Sequence, residues 1–187
     1  MKKILLAGWT IGLLSLAITS VCWAIPVTWG VNGHQYEVVS LQSISWDNAR
    51  TDAQDMGAGW DLATITSIDE QNFITSLIGP ANGELVEYYI GGLYSYGSWG
   101  WVTIEPFDFT YWGAGEPNGN NSEPRLALDG RYNVPNWGWN DYTGDGSWFI
   151  VGYVAERHTA PVPEPATMLL FIAGLAGLGF IRKRFRK

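Results

Sequence analysis

The chain has 187 residues, 11 basic against 18 acidic, for a formal charge of −7, and a length that suits one domain of ordinary size. Residues 25–160 hold four arginines (Arg50, Arg125, Arg131, Arg157), no lysine and 17 acids, a formal charge of −13. A surface of that sign repels phosphate backbones and argues against nucleic-acid binding, whereas divalent cations are its natural counter-ions. Nine of the 11 tryptophans also lie in this span, which argues for a packed core and against disorder.

Met1, Lys2 and Lys3 give a positive start. An apolar run follows from Ile4 to Ala17, then small and polar residues up to Cys22-Trp23-Ala24. This is the three-part layout of a secretory leader, with cleavage expected after Ala24. Cys22, the chain's one cysteine, would leave with it. The mature chain, 25–160 and a tail, would then have no disulfide in a compartment that permits them.

His34 to Leu41 is rich in β-branched and aromatic residues and reads as a strand. Trp46, Ala49, Ala53 and Met56 recur at helical spacing, with Ser45 as the expected N-cap and Gly57 and Gly59 as the stop. Asp61 to Ile65 suits a short strand. Ser67 and Glu70 make a Ser-x-x-Glu capping box for a second helix, whose expected buried stripe is Phe73, Ile74, Leu77 and Ile78 and whose end is Gly79-Pro80. Strands are expected at Tyr88–Leu93, Gly100–Thr103, Leu126–Leu128 and Trp148–Ala155. Gly113 to Gly146, rich in Gly and Asn, reads as a long irregular region apart from Leu126–Leu128, the kind of segment in which binding sites concentrate. The fold class is α+β.

Two clusters in that region carry the chemistry. Glu116-Pro117-Asn118 is followed by Glu123, and Trp139-Asn140-Asp141 comes later. Three carboxylates and two amides with no lysine nearby are hard oxygen donors of the sort calcium takes in irregular loops. No cysteine or histidine lies near them, which disfavours zinc at this place. Asn120, Asn121 and Asp145 are candidates for a second ion. Glu116-Pro117-Asn118-Gly119 taken alone would suit a simple turn. Trp46, Trp112 and Trp139 are expected in the core, and Trp99, Trp101, Trp137 and Trp148 are open between core and surface. His34 and His158 are expected on the surface, and the acidic surplus beyond the five site residues is expected to be mostly solvated. Glu84 and Glu87 could be posed as a glycosidase pair, though nothing in the sequence sets their separation.

The order of these motifs resembles the C-type lectin domain from about Gly33 to Glu156. Trp46-Asp47-Asn48-Ala49-Arg50 is similar to the family's first helix, Asp61-Leu62-Ala63-Thr64-Ile65-Thr66-Ser67 to its next strand and second-helix start, and Tyr89-Ile90-Gly91-Gly92-Leu93 to its Trp-Ile-Gly-Leu motif. Trp112, Gly115-Glu116-Pro117-Asn118, Glu123 and Trp139-Asn140-Asp141 resemble its calcium and sugar site. The resemblance implies two helices, small antiparallel sheets and a long loop region. It implies one calcium ion (Ca2+) held by Glu116, Asn118, Glu123, Asn140 and Asp141, a cis peptide before Pro117, and sugar hydroxyls meeting the same side chains. A Glu-Pro-Asn motif implies preference for mannose- or glucose-type sugars. The family's usual two disulfides have no counterpart here, which leaves packing or metal to hold the domain.

Val162-Pro163-Glu164-Pro165, sixteen uncharged residues (166–181) and Arg-Lys-Arg-Phe-Arg-Lys resemble the PEP-CTERM sorting signal. That resemblance places a sorting signal at 161–187 and implies export in a Gram-negative bacterium, a transient membrane helix, and removal of the tail by an exosortase-type protease. The alternative is a plain C-terminal anchor. The resulting expectation is an exported, non-enzymatic carbohydrate-binding protein of the secreted or cell-surface space, associated with an exopolysaccharide matrix. The rivals are a lectin-like adhesion module that binds protein or no sugar, and a polysaccharide hydrolase.

Overall fold

The computed structural model describes residues 25–158. The expected leader (1–24) and sorting tail (161–187) lie outside them. Among the described residues no helix is long and apolar enough to cross a membrane.

The elements run β1 (Val27–Thr28), β2 (Gln35–Ser40), α1 (Trp46–Asp55), β3 (Trp60–Leu62), α2 (Ile68–Ile78), β4 (Glu87–Ser95), β5 (Ser98–Trp101), β6 (Arg125–Asp129), β7 (Gly138–Tyr142) and β8 (Ile150–Arg157). Both helices start where their caps predict. The Ser45 hydroxyl accepts the Asn48 amide at 3.4 Å, and the Ser67 hydroxyl accepts the Glu70 amide at 3.2 Å. Each satisfies one N–H that a helix start leaves open. The Glu70 carboxylate reaches back one residue further than in a standard box, taking the Thr66 amide at 2.7 Å. Gly79, at φ 102°, ends α2 in a conformation that a side chain would oppose.

The strands join one connected sheet in the order β1-β2-β8-β4-β6-β7, with β3 on β8 and β5 on β4. The pair β4–β8 is parallel and the others antiparallel. Both faces are covered, and alternation along each strand sends neighbours to opposite sides. Ile90, Leu126, Leu128 and Val154 enter one core cluster with Tyr36, Ile74 and Trp139. Tyr89, Ala127, Tyr153 and Ala155 enter the other with Trp46, Ala49 and Ala53 of α1.

The described residues contain no cysteine, and aromatic packing is dense in the core. The Trp139 ring is fully buried, within 6.0 Å of the Trp101, Phe107, Phe109 and Trp112 rings. Its N–H donates to Gln71 Oε1 at 2.9 Å, and the Gln71 amide donates to the Asn136 and Trp137 carbonyls. This ties α2 to the long region around 136–139. Each well-oriented ring pair adds about 0.5–1.5 kcal/mol beyond the area it buries.

Several expectations are corrected. Trp139-Asn140-Asp141 lies in a strand, not a loop, because β7 pairs with all five residues of β6. Of the expected α2 stripe only Ile74 is fully buried, with Gln71 and Thr75 beside it. Trp101 and Trp137 are core residues, Trp99 is partly buried, and Trp148 is exposed. Most of the acidic surplus is at least partly exposed, as expected, with Glu37, Glu70, Glu87, Asp129 and Glu156 as the buried exceptions. His34 and His158 are half-buried against Glu156, because the β2–β8 register brings the two strand ends together.

Candidate functional site

The site grows from the start of the loop that follows Trp112. The Gly113 amide donates to the Trp139 carbonyl at 2.8 Å and the Trp139 amide to the Tyr111 carbonyl at 2.8 Å, so β7 clamps the loop's first residues. The Glu116 amide then closes a turn on the Gly113 carbonyl at 3.1 Å. The Glu116–Pro117 peptide is cis. Immediately after it, the Asn118 and Gly119 amides donate to the two oxygens of the Asp141 carboxylate at 2.9 and 2.8 Å. Asp141 is 1% exposed. The loop is thereby fastened to the sheet by two charge-assisted bonds.

The other side chains gather around this fastening. Glu116 Oε2 accepts from the Asn118 side-chain amide at 2.6 Å, and Glu116 Oε1 accepts from the Tyr132 hydroxyl at 2.7 Å. Glu123 folds back over Gly119, where a Cβ would come within 2.1 Å of the Glu123 carboxylate, so only glycine leaves that carboxylate its place. Asn140, one residue before Asp141 on β7, points to the opposite face and donates to Glu87 Oε1 at 3.0 Å. A cavity of about 320 Å³ is lined by Glu116, Asn118, Glu123 and Asn140, with Glu87 and Tyr132 beside them. Four of the five residues singled out in the sequence thus face one opening, and the fifth, Asp141, sits behind the loop with its carboxylate engaged by backbone.

The electrostatics record crowding of like charge. Burial, and then the Asp141 charge against the opposing Tyr132 hydrogen bond, holds the Glu116 carboxyl above the usual range. Burial, then Asp141 and Glu116, does the same for Glu123. Two partly exposed carboxylates and a buried one share the place, and no lysine is near. Such a donor set fits a hard divalent cation.

Sequence reasoning missed three contributors. Tyr132 orients Glu116, and no local signal marks it. Arg131 pairs with buried Asp129 at 2.5 Å and lies 3.7 Å from Glu87. Glu87 itself is 1% exposed, and its carboxyl is pushed up to about 8 by burial and then by Asp129. Extending the strand reading of Tyr88–Leu93 back by one residue would have set Glu87 on the same buried face as Tyr89. The posed Glu84–Glu87 pair does not form an acid–base couple across an opening, because Glu84 is exposed and Glu87 is buried under Asn140. Asp145, a candidate for a second ion, accepts from the Tyr142 hydroxyl at 2.7 Å and from Ser147 at 3.1 Å within its own turn.

Comparison with known proteins matches this architecture to a class. The family model described as the PEP-CTERM protein-sorting motif matches residues 161–184. C-type lectin domain family 4 member A of Mus musculus is 34% identical over 122 residues, 62% of this chain and 48% of that protein. Galactose-specific lectin nattectin of Thalassophryne nattereri is 33% identical over 102 residues, 54% of this chain and 61% of that one. The chain spans about half the length of the curated relatives it matches. Among solved structures, the SPL-1–GlcNAc complex aligns with a TM-score of 0.60 at 20% identity, over 76% of this chain and 99% of that chain.

Residues 25–158 therefore have the C-type lectin fold. The chain joins that fold to a PEP-CTERM protein-sorting motif at 161–184.

Proposed function

We propose that this is an exported, calcium-dependent carbohydrate-binding protein with mannose- or glucose-type preference, acting at the cell surface of a Gram-negative bacterium in association with exopolysaccharide. The observation that carries the reading is the convergence of Glu116, Asn118, Glu123 and Asn140 on one open cavity, with Asp141 pinning the loop behind them. Calcium bound there would be held by oxygens of Glu116, Asn118, Glu123 and Asn140, which line the cavity, with the fifth expected ligand, Asp141, holding the loop behind them, and would supply a hard positive centre for sugar hydroxyls. Around it the chain offers acceptors (Glu116, Glu123) beside amide donors (Asn118, Asn140), so a sugar hydroxyl can donate to a carboxylate and accept from an amide. Tyr132 and Asn118 already hold Glu116 in place, which lowers the ordering cost of binding.

The preference rests on Glu116-Pro117-Asn118, the motif that resembles mannose-type members. Nattectin's galactose-specific name makes a two-sugar comparison the natural test. The sorting motif supports export, with an exosortase-type protease as the processing partner and a membrane contact through residues 166–181 before cleavage. A single sugar on a single ion binds near millimolar, about −4 kcal/mol, so retention on a matrix depends on repeated ligand or several copies. Mannose and galactose columns, each run with calcium and with chelator, test the reading. Retention on mannose that chelator abolishes is expected, and passage through both columns in calcium refutes the sugar assignment.

A further inference from the structure

A second cluster lies apart from this cavity, where the ends of β2 and β8 meet. Register pairs Gln35 with Arg157 and Tyr36 with Glu156, so alternation sets His34, Tyr36, Glu156 and His158 on one face. His34 Nδ1 is 2.6 Å from Glu156 Oε1. His158 Nε2 is 3.6 Å from Glu156 Oε2 and 3.8 Å from Glu105 Oε2. The two imidazole rings lie 4.5 Å apart, and one donor atom from each of His34, Glu156 and His158 falls within a 4.8 Å span.

We infer that His34, His158 and Glu156 form a binding site for a first-row divalent cation of the zinc class, with Glu105 or water completing the coordination. Zinc–nitrogen and zinc–oxygen bonds of about 2.0–2.2 Å place tetrahedral donors about 3.3–3.5 Å apart, a spacing that small side-chain movements reach from these distances. Two imidazoles and a carboxylate select zinc, nickel or copper over calcium.

Three further observations support the assignment. His158 Nε2 is buried and has no hydrogen-bond partner, an arrangement that costs free energy unless something occupies it. The outer shell is built: the Thr64 amide donates to Glu156 Oε2 at 2.8 Å, the Tyr36 hydroxyl lies 2.9 Å from Glu156 Oε1, and Thr103 lies 3.2 Å from Glu105 Oε2. Such partners fix ligand orientation around a metal. Carboxylate is also in excess, since the single Tyr36 hydroxyl proton faces both Glu156 and Glu70. An ion here would join residue 34, the Glu105 loop and residue 158, in a domain with no cysteine to cross-link them.

The test uses the full chain, stripped with chelator and titrated with Zn2+ while the histidine ring resonances are followed by NMR. The chain has only two histidines, so both ring signals should shift together at one equivalent of zinc. Calorimetry on His34→Gln and His158→Gln, each checked for folding by circular dichroism, should show affinity weakened beyond the roughly 10–100-fold typical of losing an outer-shell partner. Glu116→Ala should retain the zinc response. Unmoved histidine signals in the wild type overturn the inference. So does zinc binding that survives both histidine substitutions or disappears in Glu116→Ala.

Discussion

Asp141→Ala is the most informative perturbation of the site, because two bonds that fasten the loop end on its carboxylate. The carboxylate is 1% exposed and accepts the Asn118 and Gly119 amides at 2.9 and 2.8 Å. Hydrogen bonds to a charged group are worth about 1.5–3 kcal/mol each, giving about 3–6 kcal/mol if both amides stay dry. Two effects reduce this. Water can reach the exposed Asn118, and removing the Asp141 charge relieves the repulsion that adds to burial in raising Glu116 and Glu123. The expected net loss is about 2–4 kcal/mol, a large share of the roughly 5–15 kcal/mol that stabilises a typical domain. Urea unfolding in chelator reads it directly. With a slope near 2 kcal/mol per molar, the midpoint should fall by roughly 1–2 M with the slope unchanged. Asp141→Asn keeps one acceptor oxygen and should lose about half as much. A loss below about 0.5 kcal/mol for the alanine variant would show that the carboxylate does not fasten the loop, and the site geometry would be wrong.

Three further outcomes are expected. Gly119→Ala puts a methyl where the Glu123 carboxylate and Cβ lie, 2.1 and 2.5 Å from the new atom, so calcium affinity measured by calorimetry should fall by at least about tenfold while the fold persists; unchanged affinity would remove Glu123 from the donor set. Exchanging Glu116→Gln with Asn118→Asp should move preference from mannose toward galactose on a glycan panel, and an unchanged panel would break the selectivity argument. Glu87 holds its proton up to about pH 8 in the folded state against an ordinary value of 4.5, so the folded chain binds the extra proton between those values and stability falls as pH rises across that window. Thermal unfolding in chelator should therefore show a midpoint lower at pH 8 than at pH 5, with a shallower slope in Glu87→Gln and residual slope from Glu156, which burial shifts the same way. A slope untouched by Glu87→Gln would mean that Glu87 is ionised in the fold.

The features readable from sequence were those set by neighbours along the chain. Ser45 and Ser67 announce helix starts because capping is a three-residue interaction. Glu116, Asn118 and Glu123 stand out because turn chemistry and charge concentrate in one short stretch. What stayed hidden depends on strand register. Asn140 and Asp141 look like loop residues until pairing with Ala127 and Leu126 places them in β7 and sends their side chains to opposite faces. Glu87 looks like a surface acid until Asp129 and Asn140 close over it. His34 and His158 are 124 positions apart in the numbering, and only the antiparallel β2–β8 register brings them together over Glu156. Two strand ends whose side chains meet leave no spacing for a reader of the chain to find.

Calcium titration by calorimetry, with and without a saturating mannoside, tests the central claim most directly. If ion and sugar share the cavity bounded by Glu116, Asn118, Glu123 and Asn140, each must tighten the other by the same factor. Calcium affinity should therefore rise several-fold in the mannoside and vanish into background in Glu116→Ala. Calcium heats that are absent, or identical with and without the sugar, would contradict it.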